Sequence, residues 1–234
     1  EQLLVFEGTE NITFDGVKFE DTSWLTPNEI GYNDAQSGTY AQHNGVWGDV
    51  PGAIETHAAK NITITNSELR NLGIGGIRIG NGSSDCAITN SAIHDISSSG
   101  IFIGNNTGHN HGYCDPGTDV TGVVVRNNYI TRTGLDIFGS SAICALYTSD
   151  TVIDHNEVCY ATYTGISLGW GWDWKNAPCS GNNTVSNNYI HDTGKTIHDG
   201  GSFYSLGLQE GTKVFGNYLH HHSDGLYDKD GGLY

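Results

Sequence analysis

The 234-residue sequence contains no methionine, 4 prolines and only 10 basic residues. Charged residues make up 15% of it, and no apolar run approaches the ~20 residues of a membrane-spanning helix, so no membrane partner is expected. The 10 basic residues stand against 26 acidic ones, which gives a formal net charge of −16. Because affinity for a phosphate backbone depends on Lys and Arg, nucleic acid is not expected as a partner either.

The five cysteines include no C-x-x-C pair and no zinc-like spacing with histidine, so the sequence predicts no metal site of recognised spacing. Their odd number leaves at least one thiol free or paired outside this sequence. Asn-x-Ser/Thr sequons occur at Asn11, Asn61, Asn81, Asn105 and Asn182. Some of these are explained as ordinary strand beginnings, but together with the cysteines they favour a secreted glycoprotein.

Glycine is abundant, with 33 residues, and two short phrases recur. In the first, a β-branched strand leads into a turn with Asn and then an apolar position, as at 62–69 (ITITNSEL) and 123–130 (VVVRNNYI). In the second, alternating apolar residues precede glycine, as at 76–80 (GIRIG) and 100–104 (GIFIG). Copies repeat every 24 to 37 residues, which suits one coil of a solenoid with loops of variable length.

A short strand of this pattern buries its apolar face only when copies stack at ~4.8 Å and pair their backbones. Equivalent asparagines would then form an amide ladder, at Asn128, Asn156, Asn188 and Asn217. The sequence therefore predicts an all-β fold, a right-handed parallel β-helix (β-solenoid) of about seven to eight coils. We expect a single domain over residues 1–234 that is a segment of a longer chain, with further coils of the same chain at both ends, because bare solenoid ends expose unpaired strands.

Three insertions between repeats mark the faces where a ligand would bind, at residues 25–52, 105–121 and 169–180. The third carries Trp170, Trp172 and Trp174. Because flat indole rings pack well on sugar rings, we expect Trp170 or Trp172 to bind carbohydrate. At least one of the three is expected to pack under a loop instead.

Aspartates precede Gly-Gly in matching phrases on consecutive repeats, at Asp199 and Asp230, whereas counting from the asparagine ladder matches Asp199 with Asp228. Stacking would bring either pair close together, and two carboxylates ~5–10 Å apart are what glycosidic hydrolysis requires. Asp before Gly-Gly is also a common turn former, and Asp228-x-Asp230-Gly resembles part of a calcium loop. Calcium is thus the one cofactor that the sequence leaves open.

Four further residues near these aspartates in the sequence are candidates for binding substrate. Tyr204 would be a sugar platform, while His198 and His221 would hydrogen-bond sugar hydroxyls. Glu210 follows the strand that contains Tyr204 and is the fourth candidate.

Two segments, 163–172 (YTGISLGWGW) and 199–207 (DGGSFYSLG), resemble secreted right-handed β-helix proteins of glycoside hydrolase family 141, and the likeness covers nearly the whole chain. The resemblance implies an enzyme acting on plant cell-wall glycans with two catalytic aspartates. The Asp-Gly-Gly position corresponds to Asp199, and the second aspartate of the relatives would fall just beyond Tyr234 rather than at Asp230.

We therefore expect a secreted glycoside hydrolase that cleaves a plant-type or other polysaccharide or oligosaccharide with a pair of carboxylates. Asp199 would be the leading acid/base residue and Asp230 or Asp228 its partner, with no organic cofactor. Two alternatives stay open. One is a non-catalytic carbohydrate-binding or structural β-solenoid, and the other is a calcium-dependent polysaccharide lyase.

Overall fold

A computed structural model describes residues 2–41, 47–104, 117–170 and 179–222 of the chain. Within these ranges the chain passes repeatedly through three parallel sheets, A, B and C, of seven strands each. Neighbouring strands in a sheet come from successive coils, because the chain visits each sheet once per coil. The predicted parallel β-helix of about seven coils is confirmed.

Sheet A is built from the alternating apolar phrase of each repeat. Its strands, in order across the sheet, are β1 (Leu4–Glu7), β7 (Gly52–His57), β10 (Gly75–Ile79), β13 (Ile101–Gly104), β17 (Ile143–Leu146), β21 (Ile166–Leu168) and β24 (Phe203–Ser205).

Sheets B and C take the two halves of the other phrase, on either side of its Asn-containing turn. Sheet B comprises β2 (Glu10–Asp15), β8 (Lys60–Thr65), β11 (Ala87–Thr89), β15 (Val124–Arg126), β19 (Val152–Asp154), β22 (Thr184–Ser186) and β25 (Lys213–Phe215). Sheet C comprises β3 (Lys18–Thr22), β9 (Glu68–Leu72), β12 (Ala92–Ile96), β16 (Tyr129–Thr133), β20 (Glu157–Cys159), β23 (Tyr189–Thr193) and β26 (Tyr218–His222).

The remaining described elements are short. A helix, α1 (Thr26–Ile30), and a 3-10 helix (Gln36–Gly38) accompany an antiparallel sheet of β4 (Asn33–Ala35), β5 (Thr39–Ala41) and β6 (Trp47–Asp49). A parallel pair, β14 (Val120–Thr121) and β18 (Thr148–Ser149), lies beside sheet B. Within the described ranges, no helix has the length and apolar character needed to cross a lipid bilayer.

The interior of the coil is a set of aliphatic rows. In sheet A one inward row consists of isoleucines in exact register, and each is at most 1% exposed: Ile54, Ile77, Ile101, Ile143 and Ile166. Burying one such side chain stabilises the fold by ~1.5–3 kcal/mol. The predicted aliphatic stacks are confirmed.

The predicted amide ladder is also confirmed, at the turns between sheets B and C. The side-chain Nδ2 of Asn128 donates to Oδ1 of Asn156 at 3.0 Å, Asn156 donates to Asn188 at 2.9 Å, and Asn188 donates to Asn217 at 2.8 Å. Each of these oxygens also accepts the backbone N–H of the preceding ladder residue. The ladder therefore satisfies buried donors that strand pairing leaves over at each turn.

The residue just before each ladder asparagine has a left-handed backbone, which explains a second feature of the repeats. Its φ is 56° at Asn127, 54° at His155, 54° at Asn187 and 68° at Gly216. Asn and Gly adopt this region most readily, so the Asn-Asn and Gly-Asn pairs of the sequence are turn requirements.

The first turn from sheet C to sheet A, residues 23–51, is much longer than the others, and we call its described residues, 23–41 and 47–51, the covering loop. It lies against the outer side of sheet A and the turns of later coils. The backbone N–H of Ser37 donates to the Gly139 carbonyl at 2.8 Å, and the Cys144 thiol lies 3.8 Å from the Ser37 carbonyl oxygen. The loop thus reaches several coils beyond the one in which it begins.

Candidate active site

The outward row of sheet A leads to the candidate site. Strand register puts the following side chains in one line: Glu55, Arg78, Phe102, Cys144, Ser167 and Tyr204. The first five are buried although they point out of the coil, with at most 9% of each exposed. Tyr204, by contrast, is partly exposed. The row therefore becomes accessible at the coil that carries Tyr204.

An ion pair anchors the covering loop on this row. The Arg78 guanidinium contacts the Asp49 carboxylate at 2.5 Å and lies 3.7 Å from Glu55, and these three side chains are 9–11% exposed. The same guanidinium lies 4.9 Å from the centroid of the Phe102 ring. This cluster could not be predicted from the sequence, because nothing in the local pattern shows which strands a long loop will contact.

Asp199 is exposed on the turn that leads from sheet C into β24. The next residue, Gly200, is buried, and a Cβ atom there would lie 2.8 Å from the Tyr163 ring and 2.6 Å from the Thr164 hydroxyl. Only glycine fits this contact, so the Asp-Gly-Gly phrase sets the position of Asp199 against the preceding coil.

Tyr163 is the buried neighbour of this aspartate. It is 2% exposed, and its hydroxyl oxygen accepts a hydrogen bond from the Gln36 amide of the covering loop at 2.6 Å. Burial raises the pKa of Tyr163 to about 12, and the negative charge of Asp199 and the phenol of Tyr204 act in the same direction. A neutral phenol therefore lies beside Asp199 at physiological pH, and these residues come from the covering loop and two successive coils.

The structure describes only one carboxylate of the predicted catalytic pair. Asp199 lies where its turn is exposed, next to the coil that carries Tyr163, but Asp228 and Asp230 lie outside the described residues. Trp172 lies outside them as well. The pairing of Asp199 with a second carboxylate stays a prediction.

The other predicted binding residues lie at three places. His198 is exposed beside Asp199, and Tyr204 follows on β24. Glu210 is exposed five residues after β24 ends, in an isolated bridge with Gly181, and its carbonyl accepts the N–H of Asn182 at 2.8 Å. His221 is exposed near the end of β26 in sheet C, with a φ of 52°.

Trp170 is a packing residue in this structure. Its side chain is 2% exposed and belongs to a small apolar cluster outside the coil, together with Phe102, Leu146 and Tyr147. This is the role that we expected for at least one tryptophan of the segment. A sugar-stacking role for Trp170 would require the ring to leave that cluster.

Ser167 lies in a stretch whose letters, G-x-S-x-G at 165–169, match the nucleophile elbow of serine hydrolases. The elbow needs an exposed serine on a sharp turn from strand to helix. Ser167 instead lies in the middle of β21 and is 1% exposed. A nucleophilic role for Ser167 is therefore not supported.

Fold and site together define a class: parallel β-solenoids in which a long loop covers one sheet and an exposed carboxylate lies beside the covered row. The chain belongs to the right-handed β-helix family, because the model of the right handed beta helix region matches residues 52–233. Among curated proteins, none matches the chain.

Two solved structures show how far the similarity extends. One, described as a glycoside hydrolase, is 27% identical with a TM-score of 0.78 and aligns with 91% of this chain and 41% of its own. The chain therefore spans less than half the length of that protein. The structure of XylC with xylose is 12% identical with a TM-score of 0.50, covers 89% of this chain and 36% of its own, and shows the shared fold alone.

Proposed function

We propose that the chain is part of a carbohydrate-active β-helix, most specifically a glycoside hydrolase that cleaves a polysaccharide with a pair of carboxylates. The observation that carries this proposal is Asp199, exposed beside Tyr163 and Tyr204 where the outward row of sheet A becomes accessible. The similarity to a solved glycoside hydrolase over 91% of the chain supports it. Membership of family 141 is the finer part of the same proposal.

The residues have distinct chemical tasks in this proposal. Asp199 acts as the acid/base carboxylate, and Asp230 or Asp228 supplies the second one, since both retaining and inverting hydrolysis use two. Tyr204 offers a ring for stacking on sugar, and the neutral Tyr163 phenol holds the turn that carries Asp199. His198, beside Asp199, hydrogen-bonds sugar hydroxyls.

A neutral glycan is the substrate class that the charge favours. The chain carries a formal net charge of −16, so an anionic polymer would meet repulsion unless a cation bridged the two. We further propose that the protein is secreted. Cys179 is disulfide-bonded, and disulfides persist mainly in oxidising compartments.

The test is Asp199→Asn on a panel of plant and microbial polysaccharides, with release of reducing ends as the readout. Removing an acid/base carboxylate is expected to lower kcat by at least ~10²-fold while the circular dichroism spectrum stays that of the wild type. Asp150→Asn is the matched control, because Asp150 is also an exposed turn aspartate but lies between sheets A and B. Wild-type turnover by Asp199→Asn would remove the assignment.

The same panel separates the two alternatives. Binding of a glycan without any product would favour a non-catalytic carbohydrate-binding solenoid. Loss of activity on chelation, together with unsaturated products that absorb in the ultraviolet, would favour a calcium-dependent lyase. Asp228→Asn and Asp230→Asn, assayed beside Asp199→Asn, identify which partner is needed.

A further inference from the structure

Three potential metal ligands meet on the outer face of sheet C, away from the row that carries Tyr204. Glu157 and Cys159 are two residues apart on β20 and therefore point to the same side. His191 on β23 lies directly opposite Cys159 in the strand register. One donor atom from each residue lies within 4.8 Å of the other two.

These donors form a recess with one open side. Cys159 is 1% exposed, the His191 side chain is 12% exposed, and the Glu157 side chain is 46% exposed. The Cys159 thiol lies 3.4 Å from the Thr131 hydroxyl on the coil before. An ion bound here would be enclosed by thiol and imidazole and reached past the carboxylate.

The contacts of His191 turn its Nε2 towards the carboxylate of Glu157. Its Nδ1 lies 2.8 Å from the Asp192 carboxylate, so that nitrogen carries a proton and donates it. Its Nε2 lies 3.4 Å from Oε1 of Glu157. Nε2 is therefore the ring nitrogen that an ion held between these side chains would contact.

Neighbouring rings hold the imidazole in this orientation. The Tyr189 ring stacks on His191 with centroids 4.2 Å apart and an interplanar angle of 28°. The His220 ring stacks at 5.3 Å and 12°. Lys195 also contacts the outer oxygen of Asp192, at 3.1 Å, which fixes the carboxylate that orients the imidazole.

We propose that Glu157, Cys159 and His191 bind a zinc-class divalent ion that ties β20 to β23. Thiolate and imidazole with one carboxylate suit zinc, which accepts three protein ligands and keeps a fourth position for water. The site does not depend on the hydrolase proposal, and its three ligands are not residues proposed for that chemistry.

Binding has to displace the proton of the Cys159 thiol. Burial raises the pKa of the Cys159 thiol, so the thiol is protonated in the metal-free protein. The groups that face it are the Tyr129 hydroxyl, the Thr131 hydroxyl, Glu157, His191 and Asp192. A bond between the Cys159 thiolate and the ion would therefore form with release of the thiol proton to solvent.

The experiment is titration of the chelator-stripped chain with Co²⁺ and then Zn²⁺ near neutral pH. We expect the wild type to take up one equivalent of Co²⁺ with a thiolate-to-cobalt charge-transfer band, which Zn²⁺ then removes. Cys159→Ser should abolish the band, and His191→Gln should lower the affinity by at least ~10²-fold. Asp192→Asn should keep the band but weaken affinity by ~10–100-fold, because it removes only the group that orients the ligand.

Two controls isolate this site from other histidines and thiols of the chain. Cys86→Ser removes another buried free cysteine, and His155→Gln removes a histidine that also contacts an aspartate. Both should keep the wild-type band and its removal by Zn²⁺. An unchanged band in a folded Cys159→Ser variant, or a folded wild type without such a band at saturating Co²⁺, would overturn the proposal.

Discussion

Replacing Asn156 by Ala should lower the free energy of unfolding by about 3–5 kcal/mol. The side chain is 1% exposed, and its Oδ1 accepts both the backbone N–H and the side-chain Nδ2 of Asn128, each at 3.0 Å. Its Nδ2 donates to the Val125 carbonyl at 3.0 Å and to Asn188 at 2.9 Å. At ~1 kcal/mol per hydrogen bond, and with the buried Asn128 N–H left without its partner, these losses give the predicted magnitude.

Asn217→Ala is the matched control at the end of the ladder. Asn217 also accepts two hydrogen bonds, from the N–H and Nδ2 of Asn188 at 2.9 and 2.8 Å, and donates to the Val185 carbonyl at 2.9 Å. It is only partly buried, so water can replace the lost partners. We expect Asn217→Ala to lower the free energy of unfolding by ~1 kcal/mol. The loss depends mainly on whether a buried donor is left without any partner, and less on the number of hydrogen bonds removed.

Urea unfolding of the two variants and the wild type, followed by both tryptophan fluorescence and circular dichroism, measures this difference. A solenoid can unfold in stages, so coincidence of the two signals has to be checked before free energies are compared. Equal costs for Asn156→Ala and Asn217→Ala, or a cost below ~1 kcal/mol for Asn156→Ala, would refute the reasoning.

Three further predictions concern the covering loop, acid stability and the site. Arg78→Met should destabilise the protein by ~3–5 kcal/mol, because it leaves Asp49 as an unpaired buried charge. It should also speed proteolysis within residues 23–51, and wild-type protease resistance would contradict this prediction. Burial opposes ionisation of Asp154, but hydrogen bonds from its neighbours lower its pKa to about 2. The stabilisation by ionised Asp154 is therefore present above the unfolded-state pKa of ~3.9 and is lost as the pH falls through the folded-state pKa. Asp154→Asn should flatten the pH dependence of Tm across that window. An unchanged slope of Tm against pH would contradict this prediction. Gly200→Ala should cost ~1–3 kcal/mol, since its Cβ would press on Tyr163, and should lower hydrolysis more than binding of the same glycan; an unaltered Tm would show that the turn adapts.

The coil itself was predictable because its determinants repeat. One recurring phrase specifies each ladder asparagine and the other specifies each inward isoleucine of sheet A. Stacking of the coils brings equivalent positions of successive phrases into contact. The sequence pattern alone therefore placed Asn156 against Asn188 and Ile77 against Ile101.

The contacts of the covering loop could not be predicted in this way. Gln36 and Tyr163 are 127 positions apart and share no phase of the repeat, so only the folded chain shows that they meet. The environment of Trp170 was equally hard to predict from the sequence. Its place in an insertion with two other tryptophans suggested an indole free to bind sugar, whereas its ring packs on residues of two earlier coils.

The cluster of Glu157, Cys159 and His191 escaped detection for a related reason. Metal motifs are usually sought as ligands a few residues apart on one helix or loop, whereas in a solenoid the next ligand lies one coil later. Cys159 and His191 are in register across neighbouring strands of sheet C. A search at the coil period, in place of the helix or hairpin period, would have found this pair.

The covering loop explains why the outward row of sheet A carries different chemistry at its two ends. Where the loop lies on the row, a charged side chain has to be paired, as Glu55 and Asp49 are with Arg78. Asp199 lies one coil beyond the last buried position of the row, Ser167, and remains exposed while its turn rests on the buried Tyr163. A carboxylate at this border has a rigid support on one side and access for a polymer on the other.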